Sequence, residues 1–87
     1  MVFLHMDIRK VAGSNIRLFR QNRGMTLQNL SDVTGMSRTY LTDIELGKKA
    51  ITIVRLEKIA KALKIKTNVL LIPKAFQIPK EFESREN

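Results

Sequence analysis

The chain has no cysteine, which removes disulfides, thiol nucleophiles and cysteine-ligated metals. Its single histidine, His5, stands near the N-terminus, so no histidine cluster can hold a metal. The glycines at 13, 24, 35 and 47 are isolated from one another, and no glycine-rich phosphate loop is formed. No apolar run approaches the roughly 18 residues of a membrane span. The apolar opening, residues 1–6, is too short for a signal-peptide core and lacks a small-residue cleavage site. It reads as a weakly packed arm, within which Met6 offers an alternative translation start. Residence in the cytoplasm is the expectation. Serine, aspartate and the one histidine show no nucleophile arrangement. Asp43 and Glu45, two apart on one helix, face different ways and make a poor acid–base pair. An enzyme is not expected, nor is a metal or other cofactor.

Acidic residues are scarce too. Residues 1–80 carry fifteen Lys or Arg against five Asp or Glu, a charge of +10, whereas residues 81–87 carry −2. A strong positive excess on a small folded domain suits a polyanion partner. At 87 residues the chain is one domain near the lower size for a self-sufficient core, and such domains often gain from dimerisation.

What the sequence does contain is organised around residues 28–47, QNLSDVTGMSRTYLTDIELG. Leu30 and Thr34 belong to one short helix. Gly35 allows the left-handed backbone of a sharp turn. Ser37 offers a hydroxyl as N-cap for a second helix, on which Leu41 and Ile44 share a face. Small Ser31 leaves room for the two helices to cross. Two crossing helices joined by a glycine turn make either an ordinary helical hairpin or a helix-turn-helix, whose second helix enters the DNA major groove.

Around this stretch the spacing predicts further helices. Asp7 caps a first one to about Asn22, with Val11 or Ala12, Ile16 and Phe19 inward. Gly13 inside it costs up to ~1 kcal/mol relative to alanine, so Ser14 is an alternative start. Thr26 caps residues 27–34, and Gly47 closes the helix from Arg38. Thr52 caps residues 53–64, where Leu56, Ile59, Ala60 and Leu63 form one face. Residues 67–72, TNVLLI, suit a short helix capped by Thr67. They also alternate like a strand, with Ile65, Thr67, Val69 and Leu71 on one side, and both readings stay open. The domain is placed at residues 7–72. Residues 73–87 form a C-terminal extension, apolar at Phe76, Ile78 and Phe82 and disordered at its end.

The run from residue 12 to 71 resembles the Cro and repressor type of helix-turn-helix protein, also called the xenobiotic-response-element type. The likeness rests on the Leu-Ser…Thr-Gly turn, on SRTYLTDIELGKKAITI and on the Leu-x-x-Ile-Ala-x-Ala-Leu helix. Restriction–modification controller proteins and small phage-type repressors look most similar. The resemblance implies an all-α bundle of about five helices. It implies a transcriptional regulator that binds a palindromic operator on double-stranded DNA as a homodimer, without a cofactor. Arg38, Thr39 and Asp43 would meet base edges, with Tyr40 and Thr42 flanking the groove. Arg38 can bridge guanine O6 and N7, and Asp43 can accept from cytosine or orient Arg38. Thr26, Gln28, Ser37, Lys48 and Lys49 would meet phosphate. Many members carry glutamine directly after the capping Thr or Ser; here Leu27 stands there and Gln28 follows one place later. Arg20 and Glu45 match a structural ion pair. Val69, Leu71, Ile72 and Phe76 are the apolar residues expected at a dimer interface. Two rivals share the pattern: an antitoxin that also holds a toxin, and an adaptor that has lost DNA binding. A toxin or polymerase contact is the further partner such roles would bring.

Overall fold

A computed structural model describes residues 7–75, and four α-helices and one 3-10 helix account for most of them. The helices are α1 (Ile8–Asn22), α2 (Leu27–Thr34), α3 (Arg38–Glu45) and α4 (Ile53–Leu63), followed by the 3-10 helix Thr67–Leu71. The expected N-terminal arm, with His5, and the apolar tail, with Phe76, Ile78 and Phe82, lie outside the described residues.

Each α-helix starts where a capping side chain stands. The Asp7 carboxylate accepts from the Arg9 backbone N–H at 3.0 Å, Ser37 Oγ from Tyr40 N at 3.0 Å, and Thr52 Oγ1 from Arg55 N at 3.2 Å. Thr26 and Asn29 cap α2 reciprocally: Asn29 N donates to Thr26 Oγ1 and Thr26 N to Asn29 Oδ1. The Arg9 side chain also donates to Asp7, which holds that carboxyl down at about 2 from an ordinary 3.8. Its contribution is thus complete above 3.8 and lost as pH falls through about 2.

The core is one cluster, centred on Ile16, Leu30, Leu41, Ile44, Ile59, Leu63 and Leu70, to which every helix contributes. The α2–α3 turn is held by its own side chains. Gly35 takes φ +76°, and a Cβ there would meet no atom within 4 Å, so the left-handed backbone rather than space demands glycine. Ser31 Oγ donates to Met36 O at 2.6 Å, while buried Thr34 Oγ1 donates to Leu30 O and accepts from Met36 N.

Residues 67–71 settle as helix, not strand. Val69 and Leu70, consecutive residues, are both buried, which alternation cannot achieve, and Leu71 turns outward. Two expectations are corrected here. Thr67 is not the cap, since the helix begins after Lys66 with no side-chain capping bond. Val69, expected at a dimer surface, is 3% exposed in the core of the single chain. The end of α4 differs slightly as well: Lys64 lies beyond the helix in the left-handed region, φ +59°, where Ile65 N reaches back to Ala60 O.

The seam between α1 and α3 carries two features of different legibility. Gly13 does not delay the start of α1 to Ser14; it lies inside the helix. A Cβ there would stand 2.7 Å from the Glu45 carbonyl oxygen and closer still to that of Ile44, so the two backbones meet at this point. Seven residues on, Arg20 forms the expected pair with Glu45, through Nε to Oε2 at 2.7 Å and Nη2 to Oε1 at 3.0 Å. Its Nη1 donates to Met25 O at 2.9 Å, so one guanidinium joins α1, the α1–α2 turn and the end of α3. A second α1 side chain, which the sequence pattern does not single out, is Asn15. It is buried, and its Nδ2 donates to Leu70 O and Ile72 O, both at 2.9 Å.

Gly13→Ala is expected to destabilise the fold although alanine is the better helix former. The intrinsic gain of up to ~1 kcal/mol is outweighed by overpacking, typically ~1–3 kcal/mol. A raised urea midpoint would show that the contact yields freely. Arg20→Ala is expected to cost ~3–5 kcal/mol, the usual effect of orphaning one partner of a buried pair, since the two side chains are only 11% and 6% exposed. A midpoint equal to that of the parent would refute this.

Candidate nucleic-acid interface

The buried face of α3 is Leu41 and Ile44, and its C-terminal end is fixed through Glu45. Its N-terminal half is left projecting. Arg38 and Thr39 are exposed, and Thr42 is half-buried one turn further on. These three line one recess together with Thr26, Leu27 and Gln28 at the start of α2. A second recess lies on the other side of α3. Its walls are the 34–37 turn, Tyr40, and Arg55 and Lys58 from α4. The exposed ridge of α3 therefore runs between two concave walls, each carrying hydrogen-bond donors.

The expected base-facing residues divide between these surroundings. Arg38, Thr39 and Thr42 fall on one side, near the expected phosphate residues Thr26 and Gln28. The Arg38 guanidinium makes no hydrogen bond or ion pair with another side chain among the described residues, so it is available to an external acceptor. Tyr40 departs from this group. Its ring packs against the core, its hydroxyl accepts from Arg55 Nη1 at 3.3 Å, and the Arg55 guanidinium lies 5.2 Å from the ring centroid. Asp43 does not orient Arg38; its carboxylate sits 3.5 Å from Lys49 Nζ. Lys49 also lies 5.8 Å from the Tyr40 ring centroid, and both Lys48 and Lys49 are exposed. Gln28 is exposed and donates to Asp32 at 2.8 Å, one turn along α2. Ser37 is occupied as the α3 cap.

The charges of α3 and α4 are set against the helices' own preference. The N-terminal end of a helix favours anions, by typically 0.3–1 kcal/mol at roughly this exposure. Neither helix has an acidic residue in its first turn, and each has an arginine there, Arg38 and Arg55. Arg55 and Lys58 line the second recess although the sequence pattern does not single them out, and only Arg55 lies in the first turn of α4. The available signal was this reversed charge at a capped helix start. An external anion at these ends would reverse the penalty.

Among the described residues no helix is long and apolar enough to cross a membrane. A family model described as Helix-turn-helix matches residues 16–79. An uncharacterised helix-turn-helix-type transcriptional regulator from Sinorhizobium fredii is 34% identical over 78% of this chain and 88% of its own length. The control protein C.SmaI from Serratia marcescens is 30% identical over 76% of this chain and 79% of its own. Among solved structures, the hypothetical transcription factor NHTF from Neisseria superposes with a TM-score of 0.76 at 35% identity, covering 83% of each chain.

Proposed function

The chain belongs to the helix-turn-helix family, and on that premise we propose that it is a DNA-binding transcriptional regulator that works as a homodimer on a palindromic operator, with α3 in the major groove of each half-site. The family is one of regulators rather than enzymes. The observation that carries the reading is the projecting N-terminal half of α3. It presents Arg38 to solvent at a helix end where a cation is unfavourable unless an anionic partner arrives. In this docking the first turn of α3 reaches base edges, and the planar fork of Arg38 suits guanine bidentately. Thr39 and Thr42 address neighbouring bases or a thymine methyl. Thr26, at the start of α2, and Lys48 meet the sugar–phosphate wall. Duplex DNA is the partner, no cofactor is needed, and the cytoplasm is the compartment.

The antitoxin alternative places the same helices on DNA and a toxin on the tail, and a strand over residues 67–72, which two copies could exchange, would favour it. The 3-10 helix there removes that support. An adaptor without DNA binding is disfavoured by the cations kept around α3.

Pairing of two copies is supported by Leu71 and Ile72, apolar and still 41% and 38% exposed beside the buried Val69 and Leu70. Phe76, expected alongside them, lies outside the described residues. Sedimentation at micromolar concentration is expected to give a dimer, and a lone 10.0 kDa species would overturn the pairing.

Arg38→Ala is expected to lose about 1–3 kcal/mol on the operator, concentrated at one base pair per half-site. The measurement is a binding matrix: parent and variant against operator, single-base variants and random duplex. An equal loss on every duplex would make Arg38 a phosphate contact and overturn its role as reader.

A further inference from the structure

Tyr40 and its neighbours combine three segments. The tyrosine comes from α3, Lys49 from the turn after it, and Arg55 from the first turn of α4. Both cations lie over one ring, at 5.8 and 5.2 Å from its centroid, and Arg55 is further tied to the hydroxyl at 3.3 Å. Such stacking holds a long side chain in place without neutralising it. Among the described residues the Arg55 guanidinium has no carboxylate partner, and the carboxylate paired within the cluster is that of Asp43, on Lys49. Lys58, on the same helix as Arg55, lines the same recess. The result is a concave, net positive wall, ordered from beneath by an aromatic ring that itself packs on the core.

We propose that this recess grips a backbone phosphate of the DNA strand on the α4 side of the groove, with Arg55 as the ligand and Tyr40 as a positioning residue rather than a base reader. The inference rests on the DNA-binding reading above and deepens it. A helix seated in the major groove has a phosphate backbone on either side. The recess with Thr26 and Gln28 faces one wall, and the recess with Arg55 and Lys58 faces the other. Tyr40 cannot serve both purposes. A ring held against the core by packing and loaded with two cations is not free to turn its hydroxyl to a base edge.

The test measures affinity for operator and for a mixed-sequence duplex across a salt series, alongside urea melts. Arg55 is exposed, so Arg55→Ala should keep the parent's melt. It should weaken both duplexes by the same factor and make the slope of log affinity against log salt shallower by about 0.9 for each phosphate that is no longer neutralised. Arg55→Lys should restore most of the slope. Tyr40→Leu should reproduce the Arg55→Ala change in slope, and the double variant should add little, because the two act as a unit. Tyr40→Phe, which keeps the ring, should stay close to the parent. An unchanged slope in Arg55→Ala with a parent that binds DNA overturns this inference alone. So does a Tyr40→Leu loss confined to one operator base pair, which would make Tyr40 a reader. Failure of the parent to bind either duplex overturns the DNA-binding reading and this inference with it.

Discussion

The recognition geometry depends on the seam where α1 meets the end of α3. An eight-residue helix has almost no stability of its own, since isolated helices shorter than about 12–15 residues are marginal in water. Its direction must be imposed from outside. Leu41 and Ile44 fix which face is buried, but a buried stripe alone leaves the helix free to slide and tilt. The seam removes that freedom. At Gly13 the α1 backbone touches the carbonyls of Ile44 and Glu45, and Arg20 clasps the Glu45 carboxylate with two parallel bonds. Both restraints act on the C-terminal end of α3. The N-terminal end is held by the Ser31 and Thr34 bonds of the preceding turn and, on its inner side, by Tyr40 on the core and Arg55, which leaves Arg38 and Thr39 on its outer face without side-chain partners.

Stability and binding pull against each other at the helix starts. The caps at Asp7, Thr26, Ser37 and Thr52 follow local preference without exception. The charges at the starts of α3 and α4 do not. An acid would suit each first turn better than Arg38 or Arg55. The penalty is small per helix, and it is of the kind that disappears when a phosphate or a base acceptor enters the same field. The first turn of α1 carries Arg9 and Lys10 as well, but Arg9 is paired with the Asp7 cap. Arg38 and Arg55 have no carboxylate partner among the described residues, and it is this lack that points to an outside partner.

Most of the fold is legible in the sequence because its signals are local. An Asp, Ser or Thr cap, a glycine turn and a 3,4,7 apolar spacing each act within a few residues, and all four α-helices follow from them. For the candidate site, the local signals give only the placement of Arg38 and Thr39 in the first turn of α3, after the cap at Ser37; their role at base edges comes from the family resemblance. The illegible parts are all contacts between segments distant in sequence. Gly13 looks like a flaw in α1 because its cause, the end of α3, lies some thirty residues away. Asn15 carries no signal, as its partners are backbone carbonyls at 70 and 72. Alternation over 65–71 mimics a strand because it joins two different segments, buried Ile65 in the turn after α4 and buried Val69 inside the 3-10 helix, and only the burial of adjacent Val69 and Leu70 separates the two readings. Tyr40 reads as a groove residue from its place on α3, whereas Arg55, fifteen positions on, draws it aside.

One helix connects the surface that would read DNA to the surface proposed for pairing. Gly13 and Arg20 hold α3, and Asn15, between them on α1, holds the carbonyls of Leu70 and Ile72. The Asn15 bonds set the closing segment so that Leu71 and Ile72 face outward. In a symmetric dimer the separation of the two recognition helices must match one turn of DNA, about 34–36 Å. A flexible path from interface to α3 would blur that distance. Here the path crosses a single rigid helix through buried hydrogen bonds and a direct backbone contact, with no loop between. The spacing of half-sites would then be a property of α1, a helix that itself lies away from both α3 recesses.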